Sequence, residues 1–148
     1  MTAMALAESF VKEHVDKWIK AWNTHNLKAI LPLYSEDIEF HSPKIKIVYP
    51  DRTTAAVITN KKDLQEYFSL GLKKLSNLHF TPIDFVIKEN IILLEYYATY
   101  DNKIKWSVIE KFEFKDELIV KSSVFYGIEE WYSPQSGKDG LDCRESDR

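Results

Sequence analysis

Ile104-Lys105-Trp106-Ser107-Val108-Ile109-Glu110-Lys111-Phe112-Glu113-Phe114 alternates with period two, the pattern of a strand with one buried face. Its apolar face reads Ile104, Trp106, Val108, Phe112 and Phe114, and Glu110 sits in the middle of that face. An ionised carboxylate among apolar side chains is costly unless it is paired, hydrogen-bonded or protonated. A β-bulge could turn Glu110 outward, or a lysine could partner it at a rim. Otherwise the strand holds an acid inward for a purpose.

Outward from this strand, residues 78–127 read as strand throughout. Leu78–Lys88, Ile91–Tyr100, Lys103–Lys115 and Leu118–Tyr126 are separated by Glu89-Asn90, Asp101-Asn102 and Asp116-Glu117. Turns that short join antiparallel neighbours, so a four-stranded meander is expected. Ile91–Tyr100 is apolar on both faces; one face covers the core and the other meets something else. Upstream, residues 8–23 place Phe10, His14, Trp18 and Trp22 at spacing four, an amphipathic helix. A second helix runs from Leu27 to Tyr34, shortened or kinked by Pro32. Asp37–Ser42 alternates as a half-buried strand ended by Pro43, and Asn60 caps a helix running to Leu75. Between them lie two β-rich runs, Lys44–Tyr49 and Thr53–Thr59, which suggest a hairpin about Pro50-Asp51-Arg52. The order α-α-β-α-β-β-β-β is that of an α+β fold, a curved antiparallel sheet wrapped around N-terminal helices. One domain over residues 1–133 is expected, followed by a polar, disordered tail over 134–148.

Composition narrows the function. The 148 residues hold 20 basic and 23 acidic side chains, a net charge of −3 with no basic stripe, so nucleic acid is not an expected partner. The one cysteine, Cys143, can form no internal disulfide, which fits a reducing compartment. The N-terminus lacks a basic, apolar leader and no apolar run is long enough to span a bilayer. A soluble cytoplasmic protein, with no membrane partner, is expected. Phosphate loop, nucleophile elbow and metal-ligand spacing are all missing, so neither a cofactor nor a metal is expected.

The run Trp18-Ile19-Lys20-Ala21-Trp22-Asn23-Thr24-His25-Asn26-Leu27-Lys28-Ala29-Ile30 resembles the first helix pair of nuclear transport factor 2-like, or SnoaL-like, proteins. Tyr34-Ser35-Glu36-Asp37-Ile38-Glu39-Phe40-His41-Ser42-Pro43 is similar to their first strand, and Lys103 to Gly127 to their closing hairpin. The resemblance covers residues 8–132. It implies a cystatin-like cone whose sheet wraps a long helix and leaves an apolar pocket, and a homodimer paired through the sheet. The superfamily includes ketosteroid isomerases, polyketide cyclases, epoxide hydrolases and transport factors, so fold alone does not decide activity.

Laid against a ketosteroid isomerase, Glu110 falls where that family keeps a protonated acid as oxyanion donor. The isomerase's base falls on Ser42 and its tyrosine on Trp18, so two of three parts differ and steroid isomerisation is not expected. His14, inward on the first helix, is a candidate base, against the alternative, and favoured, reading of a core histidine bonded to a carbonyl or a tyrosine. Trp18, Tyr34, Phe40, Ser42, Tyr67, Tyr97, Trp106, Phe112 and Tyr126 are candidate walls for a small apolar ligand. Of these Ser42, Trp18 and Tyr126, with Glu110, are the expected polar handles. The segment from Lys44 to Thr59 would then be a lid at the pocket mouth, with Arg52 near its tip. Two functions follow: an isomerase- or cyclase-like lyase with Glu110 as acid and His14 as base, or a non-catalytic binding module. In the second the cone is plugged by its own aromatics and the sheet face serves a partner.

Overall fold

Helix α1 (Glu8–Asn23) buries the stripe that its spacing foretells: Val11, His14, Val15, Trp18, Ala21 and Trp22. Residues 5–51, 56–75, 77–101 and 104–131 are described by the computed structural model. The end of α1 is tied to the sheet by Asn23. Its Nδ2 donates to the Phe80 carbonyl at 2.9 Å and its Oδ1 accepts the Phe80 N–H at 2.7 Å. His25 adds a bond between Nε2 and the Leu78 carbonyl at 2.8 Å, with φ of 55°. Helix α2 (Leu27–Ile30) passes into a 3-10 turn over Leu31–Leu33, where Pro32 stops regular helix. Strand β1 (Tyr34–His41) follows with Tyr34, Ile38 and Phe40 buried.

The next segment departs from the sequence expectation. Lys44–Tyr49 is no strand: Ile45–Val48 forms the short helix α3. The cause is local. Ser42 accepts the Lys44 N–H on its Oγ at 3.3 Å and the Ile45 N–H on its carbonyl at 3.1 Å, and Pro43 presets a helical φ. Ile45 is fully buried while Ile47 is 70% exposed, a one-sided pattern that a turn of helix satisfies. Strand β2 is only Val57–Ile58, paired antiparallel with β1 (Phe40 opposite Ile58). The expected hairpin is therefore replaced by a helical turn and an edge strand, and Arg52 lies outside the described residues. Helix α4 (Lys61–Lys74) begins as expected at Asn60, whose side chain accepts the Asp63 N–H at 2.8 Å.

The meander is β3 (His79–Lys88), β4 (Ile91–Tyr100), β5 (Ile104–Lys115) and β6 (Leu118–Trp131). The six strands lie in the order β2-β1-β6-β5-β4-β3. All neighbours are antiparallel except β1 and β6, which run parallel (Phe40 opposite Ser122). Strand β6 is longer than expected and carries two register shifts against β5, at Phe114/Glu113 and at Val108/Trp106. Each inserts one extra residue in β6, which bends the strand and curls the sheet around α1. The result is an α+β cone, helices inside and beside a curved, unclosed sheet. The expected tail over residues 134–148, Cys143 included, lies outside the described residues. Among the described residues no helix is long and apolar enough to cross a membrane.

Candidate functional site

Strand register assembles the site. On β5, Glu110 stands opposite Leu94 of β4 and Val124 of β6. Same-face neighbours on adjacent strands are also met diagonally, two residues along. The diagonals here are Tyr96 and Ser122. The Tyr96 hydroxyl donates to Glu110 Oε1 at 2.8 Å, and the Ser122 hydroxyl to Oε2 at 2.8 Å. Glu110 is only 3% exposed. Burial pushes its acidity constant from 4.5 up to about 7, against the pull of the two hydroxyl donors. Near neutral pH this carboxyl is divided between the two protonation states, so it can give or accept a proton.

Glu110 borders a cavity of about 300 Å³ between the sheet, α1, α3 and α4. That is at the lower end of the ~300–1,000 Å³ range of small-ligand pockets. Seven of the expected site residues line it: Trp18, Phe40, Ser42, Tyr67, Trp106, Glu110 and Tyr126. The Ser42 hydroxyl interacts with the phenols of both Tyr67 and Tyr126. Both phenols have raised pKa values, chiefly through burial, and so remain protonated donors. Trp18 contributes ring surface rather than a polar handle. Its indole N–H is spent on the Tyr34 hydroxyl at 3.0 Å, and its ring stacks on Phe80 with centroids 5.3 Å apart.

The other four expected residues do not line the cavity. Tyr34 is fully buried behind Trp18, and Phe112 packs edge-on to Trp18 at 5.3 Å. Tyr97 lies on the outer face of the sheet, where Lys105 Nζ rests 3.9 Å from its ring centre. His14 sits on the far side of Phe112, 4.7 Å from the Phe114 ring centre, and its Nε2 is buried without a partner. Burial, helped by Lys17, lowers its pKa from 6.5 to about 4. The expected pairing of His14 with Glu110 is thus not assembled: one turn of helix before Trp18 points behind the aromatic wall.

Several contributors escaped the sequence reading, Tyr96, Ser122 and Lys44 among them. Tyr96 and Ser122 follow from register, which alternation alone leaves open. Lys44 lines the cavity from the start of α3, with Nζ 3.8 Å from the Trp106 ring centre. The signal for it was the Ser42-Pro43 helix start, read as the end of a strand. Trp106 in turn donates its indole N–H to Glu129 at 2.8 Å. Among the described residues no three His, Cys, Asp or Glu side chains gather to hold a metal ion.

A cone of this topology with an acid on its inner strand defines a class, and comparison with known proteins supplies the family. The model of the SnoaL-like domain matches residues 15–122, and the chain belongs to that family. A crystal structure of a SnoaL-like protein of unknown function from Burkholderia thailandensis is similar, with 25% identity and a TM-score of 0.75. The match covers 84% of this chain and 99% of that one. The epoxide hydrolase/cyclase-like enzyme SalBIII, named for a role in pyran ring formation in the polyether salinomycin, is similar in fold. It shows 16% identity over 84% of this chain and 98% of its own, with a TM-score of 0.68. A protein of ketosteroid isomerase-like fold from Catenulispora acidiphila, solved in complex with trimethylamine, shares 16% identity. The match covers 77% of this chain and 85% of that one, with a TM-score of 0.62. No curated protein sequence matches the chain.

Proposed function

We propose that the protein binds a small apolar, carbonyl-bearing molecule in the cone and catalyses proton transfer on it, as an isomerase- or cyclase-like lyase with Glu110 as the working acid and base. The observation that carries this reading is a buried carboxyl on an aromatic-walled cavity, held near neutral acidity by burial and two hydroxyl donors. In its ionised form Glu110 takes the proton beside the ligand carbonyl, and in its protonated form returns it to another atom of the same conjugated system. One group can serve both steps, so no second base is needed. The Tyr67 and Tyr126 phenols, kept protonated, are the donors for the enolate oxygen. A protein of similar fold solved in complex with a small amine, and another named as epoxide hydrolase/cyclase-like, support the reading of a ligand-binding, enzyme-bearing fold.

The test uses 2-tetralone, an apolar bicyclic ketone with acidic α-protons, in deuterated buffer followed by proton NMR. Wild type accelerates α-deuteration with a rate that rises through pH 7, and Glu110→Gln reduces the rate to that of buffer. Equal rates with and without protein would leave only the binding module.

A homodimer through the outer face of the sheet belongs to the same reading. Val86, Leu93, Ile109 and Phe125 on adjoining strands are 57%, 39%, 44% and 56% exposed there. An apolar patch of this kind is typical of an interface.

A further inference from the structure

The Lys44 ammonium rests on aromatic rings instead of a carboxylate. Its Nζ lies 3.8 Å from the ring centre of Trp106 and 4.6 Å from that of Tyr126, and all three side chains line the cavity. Lys44 takes part in none of the ion pairs formed among the described residues. Glu129 acts on it only through space and holds the Trp106 N–H instead. Ring faces attract a cation through their quadrupole but leave its charge unneutralised. Among the described residues the remaining charges on the wall are Lys74, exposed at the end of α4, and the buried Glu110. The cavity therefore has cations on its solvent side, an acid within and aromatic surface between.

We infer that Lys44 is the anion-recognition residue of this cavity, and that the ligand is a flat apolar body carrying a single carboxylate. The carboxylate pairs with the ammonium at the solvent side, displacing it little from the Trp106 and Tyr126 rings. The body of the ligand lies against the aromatic lining of the cavity and extends toward Glu110. A cavity of about 300 Å³ suits one or two fused rings. A phosphate or other dianion suits the site poorly, since it calls for several donors and, among the described residues, Lys44 offers one point charge without a forked guanidinium beside it. The inference rests on the reading of the cavity as a ligand site and is independent of whether Glu110 performs chemistry.

Three probes with the same body separate the cases: 2-naphthoate, 2-naphthylmethanol and (2-naphthylmethyl)trimethylammonium. Binding at pH 6 is followed by tryptophan fluorescence and calorimetry on the full chain. Wild type is expected to hold naphthoate roughly tenfold more tightly than the alcohol, with the quaternary ammonium weakest. Lys44→Met should bring naphthoate down to the alcohol's affinity while the alcohol itself changes by less than about twofold. Lys44→Arg should retain the preference, and Lys74→Met should leave it in place. Unchanged circular dichroism shows that the variants fold. Equal affinity for naphthoate and alcohol in wild type would overturn the inference and leave the ligand site standing. So would a preference that survives Lys44→Met or disappears with Lys74→Met. If no probe binds, the inference and the ligand-site reading fall together.

Discussion

Glu110 and His14 are buried ionisable groups on either side of one aromatic wall, and they make opposite demands on pH. Glu110 ionises near 4.5 in the unfolded chain and at about 7 in the fold. Folding takes up a proton between those values, so its contribution to stability is full below 4.5 and is lost as pH rises through 7. A shift of that size corresponds to roughly 3 kcal/mol. Glu110→Gln should therefore melt close to wild type at pH 4.5 and well above it at pH 8, as read by thermal unfolding. A constant difference across that range would mean that the carboxyl is not held protonated. His14 works the other way. Its pKa falls from 6.5 to about 4, so stability present above 6.5 is lost as pH falls toward 4. Its Nε2 has no partner to lose. His14→Leu should stabilise the protein by about 1–3 kcal/mol, most strongly at pH 4, and should not alter ketone deuteration. Loss of that activity in the His14 variant would restore histidine to the site.

At the scale of elements, the bulges of β6 decide which side chains meet. The second shift brings Gly127 against Ser107, where an added Cβ would come 2.5 Å from the Ser107 Oγ. That hydroxyl cannot simply rotate away, because it accepts the Ile128 N–H at 3.1 Å. Gly127→Ala should cost about 1–2 kcal/mol in denaturant melts, through strain or loss of this bond. Ser107→Ala should relieve most of the clash in the double variant, and a neutral Gly127→Ala would show that the strand yields there. The same bulges explain what the sequence could reveal. Helix α1, the strand limits of Ile91–Tyr100 and the Asn60 cap are local events, written in spacing and capping residues, and were legible. Glu110 was legible as an acid on an apolar face. Its partners were not. A two-residue turn at Asp101-Asn102 would pair Tyr100 with Lys103, whereas the register is Tyr100 opposite Ile104. One residue of difference decides whether Tyr96 shares a diagonal with Glu110. The first bulge likewise presents Ser122 rather than Ser123 to the cavity side. The parallel β1–β6 pair and the helical turn at Ile45–Val48 depend on contacts with distant or flanking groups that β-propensity does not encode.

For the molecule as a whole, the cone has an inner face committed to the cavity and an outer face that is apolar in its centre. Pairing of two outer faces would bury Ile109 and Phe125 on each subunit. Light scattering at micromolar concentration should then return twice the 17.4 kDa mass of the chain. Phe125→Asp should halve that mass without emptying the cavity, because Phe125 lies on the opposite side of the sheet from Glu110. A monomeric wild type would remove the dimer and leave the cavity reading intact.

All of the proposed chemistry depends on a carboxyl that is neither fully ionised nor fully neutral at pH 7. Carbon-detected NMR of protein labelled at the glutamate side-chain carboxyl, assigned by its absence in Glu110→Gln, reads that ionisation directly. The account predicts a Glu110 resonance that titrates with a midpoint near 7, raised from the usual carboxyl value of 4.5. A Glu110 resonance that titrates near 4.5 would contradict it.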